Sequence, residues 1–239
     1  IATTTFYVQN EVGKVRAELA IRTINDALER DYHVSVVDGG SFDEFLRSLE
    51  RSGANIYPEE KEGMGSGRRQ AFKAAYDTER KVIAWTEPEK YTYIPELWKT
   101  AKPVLDGIAD LVVADRGSLD SYPEGQQYAE NLGNLAFRDI TGLTLDMWSG
   151  ARTFGRENAH YFTDYKGEYG DLWDSIFIPV LEMMHGGKRV IGVGINYNHP
   201  PEMTAIEARS PIFHVKRVNQ LMNLAPALHT HWEKIKARG

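Results

Sequence analysis

The 239-residue chain contains no cysteine. That excludes a disulfide framework and any thiolate metal site, and it fits a reducing compartment. Long apolar runs are missing too, since no segment approaches the ~20 uninterrupted apolar residues that span a bilayer. Basic charge is in deficit, with 28 Lys and Arg against 34 Asp and Glu and a formal net charge of -6 at pH 7. Phosphate backbones reward a basic face, so this balance argues against a nucleic-acid binder. Any phosphate ligand must be met by local cations. Residues 1–11 read as a strand and lack the basic, apolar leader that marks export. The expectation is a cytoplasmic protein, or one peripheral to a membrane, with no transmembrane segment. No internal repeat, linker or low-complexity tract divides the chain, and 42% hydrophobic with 26% charged residues suits one folded domain.

What is present is alternation. "TTTFYV" and "HVSVVDGG" are β-branched runs flanking "VGKVRAELAIRTINDALERDY", where Val15, Leu19, Ile21, Ile24 and Leu28 fall near helical spacing. That is a βαβ unit. "FDEFLRSLERSG" repeats the helical pattern and stops at Gly53, "ANIYP" is a brief strand, "SGRRQAFKAAYDTE" a helix and "KVIAW" a strand. A helix that Pro103 kinks then leads to the strand "ADLVVADR". After Arg116 the texture changes. "YPEGQQYAENLGNLAFRDITG" is helical, "LTLDMWSGARTF" turn-rich, "LWDSIFIPVLEMMHGG" helical, "KRVIGVGINY" a strand, and the tail from Phe213 mostly helix. The pattern predicts an α/β, Rossmann-like single domain, a mainly parallel central sheet flanked by helices. Residues 1–116 would form a nucleotide-binding half and residues 117–239 an acceptor-building half.

Open parallel sheets collect ligands beyond the carboxyl ends of their strands. Four successive strand ends here are polar and acidic: "VQNE", "VVDGGS", "WTEPEK" and "VADRGS". "EGMGSGRRQA" lacks the spacing of either a G-x-G-x-x-G turn or a P-loop, and reads as a flexible turn that places Arg68 and Arg69 at a helix start. Two adjacent guanidiniums in an acidic protein suit a diphosphate; the alternative is a solvated first helical turn. Glu87 and Glu89, one residue apart on an extended segment stiffened by Pro88, would point the same way and let a divalent cation bridge them to a phosphate. Without a cation, one of them is a general base or simply faces water. His199, beside a proline turn at a strand end, is a candidate third ligand or an ordinary loop histidine. Arg116 and Arg152 suit phosphate or sugar hydroxyls, and Trp148, Tyr161 and Tyr165 suit stacking or simple packing. His229 and His231 read as a solvated helical tail.

The order "VQNE", "VVDGGS", "GMGSGRRQA", "VIAWTEPEK", "ADLVVADR", "LDMWSGARTF", "KRVIGVGINY" resembles the family-2 glycosyltransferases of the GT-A fold, in pattern the dolichyl-phosphate mannosyltransferase group, across residues 3–220. The resemblance implies transfer of a hexosyl group from GDP-mannose or a UDP-sugar to a hydroxyl or phosphate acceptor, with inversion. The acceptor would be a saccharide, another small molecule or a polyprenyl phosphate. It puts Val8, Asn10 and Glu11 around the nucleoside, Asp38 with Gly39 at the base or ribose, and Arg68 or Arg69 near the diphosphate. Glu87 and Glu89 take the metal-carboxylate role for Mn2+ or Mg2+, and Asp146 that of base. Two positions depart from the family pattern. Gly39 stands where a second aspartate is usual, and Glu-Pro-Glu replaces Asp-x-Asp. A sugar nucleotidyltransferase is disfavoured, since its glycine-rich signature follows the first strand; a catalytically silent nucleotide-sugar-binding protein is the remaining alternative.

Overall fold

Short buried runs become strands because both faces of a parallel sheet are covered, so each strand reads as continuously apolar. The computed structural model of the chain describes residues 1–238. Its first half is a succession of βα units: β1 (Ala2–Thr5), α1 (Glu11–Glu29), β2 (Ser35–Asp38), α2 (Asp43–Ser52), β3 (Asn55–Pro58), α3 (Met64–Asp77) and β4 (Val82–Trp85). Parallel registers run from Ala2 against Ser35 to Thr5 against Asp38, and from Ser35 against Asn55 to Asp38 against Pro58. Helix α1 starts where the Asn10 side chain accepts the Gly13 amide proton at 2.8 Å, and it buries Ala17, Ala20, Ile24 and Ala27.

The second half supplies α4 (Leu97–Leu105), β5 (Leu111–Asp115), α5 (Glu124–Thr141), β6 (Arg152–Gly155), α6 (His160–Thr163), α7 (Ile178–His185), β7 (Val190–Gly194), α8 (Pro201–Glu207) and α9 (Pro211–Lys236). Among the described residues the seven strands form one sheet in the order β3-β2-β1-β4-β6-β5-β7. It is the expected mainly parallel α/β sheet, with one exception. Strand β6, antiparallel to both β4 and β5, lies between them. It falls within the stretch expected to be turn-rich.

Helix α3 begins at Met64, so the glycine segment is itself helical and Arg68 and Arg69 lie in the second turn, not at the start. Gly63 takes φ +136 at the cap, a conformation open to glycine, and the missing side chain of Gly65 admits Asp171. A Cβ there would lie 2.0 Å from the Asp171 Oδ1. The expected flexible turn is therefore a packing device. The core gathers around Phe72 of α3, whose ring centroid is 5.3 Å from Trp85, 5.7 Å from Phe154 and 4.9 Å from Phe162. The helical tail is not uniformly solvated, because His231 is buried with its Nε2 2.8 Å from Glu182 while His229 is exposed. No helix among the described residues is long and apolar enough to cross a membrane.

Candidate functional site

A cavity of about 490 Å³ opens at the carboxyl ends of β1, β2 and β4. Thr4, Thr5 and Phe6 line it from the end of β1, Gly39 from just past β2, Gly63, Met64, Gly67 and Arg68 from the start of α3, and Glu87 to Lys90 from the segment after β4. Tyr197 and His199 enter after β7, and Phe213, Lys216 and Arg217 from α9. A larger hollow of about 900 Å³ lies at the amino end of β4, around Lys81, Val82 and Gly155. It is away from the strand ends where ligands of such sheets sit, so the smaller cavity is the candidate site.

Arg68 and Arg69 separate. The Arg69 guanidinium is held by Asp171, with Nη2 donating to Oδ2 at 2.7 Å, and it does not line the cavity. Arg68 lines the cavity, is only 5% exposed, and spends Nη1 on the Leu172 carbonyl (2.8 Å) and the Ser175 hydroxyl (3.0 Å). Its Nε has no partner and it joins no salt bridge among the described residues. Burial pulls its pKa down to about 10. A buried cation without a carboxylate is costly unless an anion completes it.

Glu87 and Glu89 do not converge. After Trp85 the chain turns, with the Lys90 amide donating to the Glu87 carbonyl at 3.3 Å, so the alternation of a strand no longer applies. Glu89 is buried, 2.6 Å from the Arg16 Nη2, and accepts the Tyr7 hydroxyl at 2.9 Å. Glu87 lies 3.0 Å from the Lys90 Nζ, which also donates to the Ser149 carbonyl. Burial works to raise the Glu87 carboxyl, but Lys90, with Arg217 and Lys216, holds it well below the usual carboxylate range. Burial likewise works against the Lys90 ammonium, and Glu87 raises its pKa beyond that effect. Gly150, at φ +77, brings the turn over this pair: a Cβ there would lie 3.5 Å from the Lys90 Nζ. His199 donates its backbone amide to Ser121, stacks on Tyr122 at 4.2 Å and places Nε2 3.2 Å from Glu207, leaving Nδ1 buried without a partner. Among the described residues no three His, Asp or Glu side chains form a group able to hold a metal ion.

The other expected contacts scatter. Asp146 accepts from the Arg116 Nε (2.7 Å) and Nη2 (2.8 Å) and from the Asn134 amide (2.8 Å), and it does not line the cavity. Burial would raise its carboxyl, but Arg116 and Asn134 hold it below the usual range, so it serves Arg116 as a bound counterion. Arg116 is completed by Glu130 at 2.6 Å. Arg152 is fully buried and donates to the Ala151 and Met147 carbonyls. Asp38 accepts from Thr5, Gly40 and Ser41, which fixes the turn after β2. Val8 and Glu11 are exposed and Asn10 caps α1; none of the three lines the cavity, whereas Gly39 does. Trp148 is buried against Phe177 at one edge of the cavity, Tyr165 bonds Asp174, and neither Tyr161 nor Tyr165 reaches it.

Sequence reading missed Arg16, Lys90, Lys216 and Arg217. Lys90 stood in the quoted "WTEPEK", and its place three residues after Glu87 was the available signal. The α9 cations carried none, because nothing local says that the first turns of this helix reach the cavity at the ends of the first strands. Lys216 joins no salt bridge among the described residues, and burial, then Arg217 and Arg16, lower its pKa. The Arg217 Nη2 is 3.7 Å from Glu207 and its Nε is unpartnered.

By sequence, the chain matches no family model and no curated protein. Its fold is shared with glucosyl-3-phosphoglycerate synthase from Mycobacterium tuberculosis, a glycosyltransferase. In complex with phosphoglyceric acid that structure aligns with a TM-score of 0.59 and 15% identity, over 90% of this chain and 77% of that one. The same enzyme with Mn2+, UDP and phosphoglyceric acid aligns at 0.59 and 16% identity, covering 90% and 76%. With Mn2+, UDP-glucose and phosphoglyceric acid the values are 0.57 and 14%, covering 91% and 78%. At such identities the likeness is one of fold, the GT-A arrangement.

Proposed function

We propose that the chain is a glycosyltransferase that moves a hexosyl group from a nucleoside-diphosphate sugar to a hydroxyl or phosphate acceptor in the cavity at the carboxyl ends of β1, β2 and β4. The observation that carries this reading is Arg68, a buried guanidinium lining that cavity whose Nε is unpartnered and which joins no salt bridge among the described residues. The donor diphosphate is the missing anion. The fold supports the same donor class, since the neighbours hold UDP or UDP-glucose. Thr4 to Phe6 and Gly39, which line the cavity, would receive the nucleoside, residues 1–116 supplying most of the donor side and the turns after residue 116 most of the acceptor side.

Chemically, the bond between the anomeric carbon and the β-phosphate oxygen breaks, its electron pair stays on the diphosphate, and an acceptor oxygen bonds the carbon. Charge grows on the leaving group, and preorganised cations lower the barrier, each typically worth about 3 kcal/mol or two decades of rate. A phosphate acceptor is already ionised and needs no base, and a hydroxyl acceptor passes its proton to the departing diphosphate. The resemblance in sequence favours inversion, which NMR of the product anomer reads directly. Glu87 and Glu89, each tied to its own cation, do not fit a metal pair, and no step is assigned to one.

Purified protein incubated with UDP-glucose or GDP-mannose, and with phosphoglycerate or a polyprenyl phosphate, should release a nucleoside diphosphate and glycosylate an acceptor. Calorimetry with UDP and GDP should show binding. Binding without transfer to any acceptor would leave a silent sugar-nucleotide receptor, and no binding of either nucleotide would end the proposal.

A further inference from the structure

Two carboxylates follow β4, and each already has a cation from this chain. Glu87 faces the Lys90 ammonium at 3.0 Å and Glu89 faces the Arg16 guanidinium at 2.6 Å. A divalent ion bridging them would have to expel two buried or half-buried cations and also break the Tyr7 hydrogen bond to Glu89. Glycine at 150 lets the turn close over Lys90, so the place beside Glu87 is filled by an ammonium built into the fold. Glutamates line the same cavity too, but three of its cations have no carboxylate closer than 3.7 Å among the described residues. Arg68 enters from α3 with Nε unpartnered, and Lys216 and Arg217 enter from α9, Arg217 also with Nε unpartnered and, among the described residues, a single carboxylate partner, Glu207, at 3.7 Å. Lys216 and Arg217 repel each other, and Glu87, which attracts all three cations, is itself paired with Lys90, so an arriving anion finds all three open to it.

We infer that the donor diphosphate is neutralised by Arg68, Lys216 and Arg217 in place of a divalent cation, so that nucleotide binding and transfer are metal-independent. The inference rests on the glycosyltransferase reading and concerns the same cavity. Lys90 and Arg16 are positioning residues that keep Glu87 and Glu89 neutralised, and the three converging cations touch the phosphates. The leaving diphosphate then gains its charge next to fixed guanidinium and ammonium groups, which need no loading step.

The test is calorimetry with UDP in buffer carrying EDTA and in buffer carrying MnCl2, for the wild-type chain and for Lys216→Met, with uridine as the phosphate-free control. Lys216 is half-buried at the cavity edge and joins no salt bridge among the described residues, so its replacement should leave the melting temperature unchanged. UDP affinity should be the same with and without Mn2+, and should fall by roughly tenfold or more in Lys216→Met, the scale of one charge-assisted contact. Uridine binding should not change. UDP binding that appears only with Mn2+ would overturn the inference and leave the glycosyltransferase reading standing. Unchanged UDP affinity in Lys216→Met would overturn the assignment of Lys216 to the diphosphate. Absence of UDP and GDP binding under both conditions would remove the inference together with the reading beneath it.

Discussion

At the scale of single residues, Arg68 and Arg69 separate a ligand cation from a structural one. Arg68→Met should weaken UDP binding by roughly tenfold or more while leaving uridine binding intact, and the relief of a buried charge should keep stability level or raise it. Arg69→Ala should leave UDP affinity unchanged and cost about 1 kcal/mol or less in urea denaturation, because its partner Asp171 is partly exposed. The sequence made Arg68 legible as a diphosphate cation but could not part it from its neighbour. Adjacent helix residues point about 100° apart, and only the helix start fixes which one turns inward. Glu87 and Glu89 misled for the complementary reason: they were read as a strand, and the chain turns between them. Asp146 shows how a carboxylate at a turn becomes a counterion. Its folded pKa is depressed, so the stability it contributes is complete above the unfolded carboxylate value and is lost as pH falls through the folded one. Asp146→Asn should destabilise by about 3 kcal/mol at neutral pH, leaving Arg116 half-compensated, and should flatten the acid limb of a stability-against-pH curve.

Among elements, α3 and β6 mark the limits of pattern reading. Helix α3 was legible from its apolar spacing, but its first turn was taken for a loop, since three glycines in five residues carry low helix propensity. Tertiary contact decides otherwise, the glycines making room for Asp171, Glu59 and Thr4. Gly65→Ala should therefore cost about 1–3 kcal/mol in chemical denaturation, against the small gain that alanine brings to an open helix. Strand β6 escaped because four residues give too short a run for period-2 alternation, and it is buried at every position. Its Phe154 stacks on Phe162 at 4.4 Å and reaches Phe72 across the sheet. Phe72→Ala should lower stability by about 3–5 kcal/mol, read from the denaturant midpoint.

For the whole molecule, the sequence showed the α/β class and the parallel first half, because βα alternation is a local signal repeated many times. It did not show that the two halves interleave. Strand β6 is hydrogen-bonded to β4 on one side and β5 on the other, and β5 also pairs with β7. A fragment of residues 1–116 would leave β5 with neither neighbour and should show no cooperative melting by circular dichroism. The site obeys the same topology, since Arg68 comes from the first half and Lys216 and Arg217 from the last helix. Helix α9 carries those two cations near its beginning and sinks Leu224, Leu228 and Ile235 into the core near its end. Anything seated against its first turns thus braces the rod that closes the interior, and occupancy should be readable from a melting curve without a label or a turnover assay. Binding at a hundred times Kd adds about 2.7 kcal/mol. A panel of sugar nucleotides screened by thermal shift would then rank bases and hexoses directly.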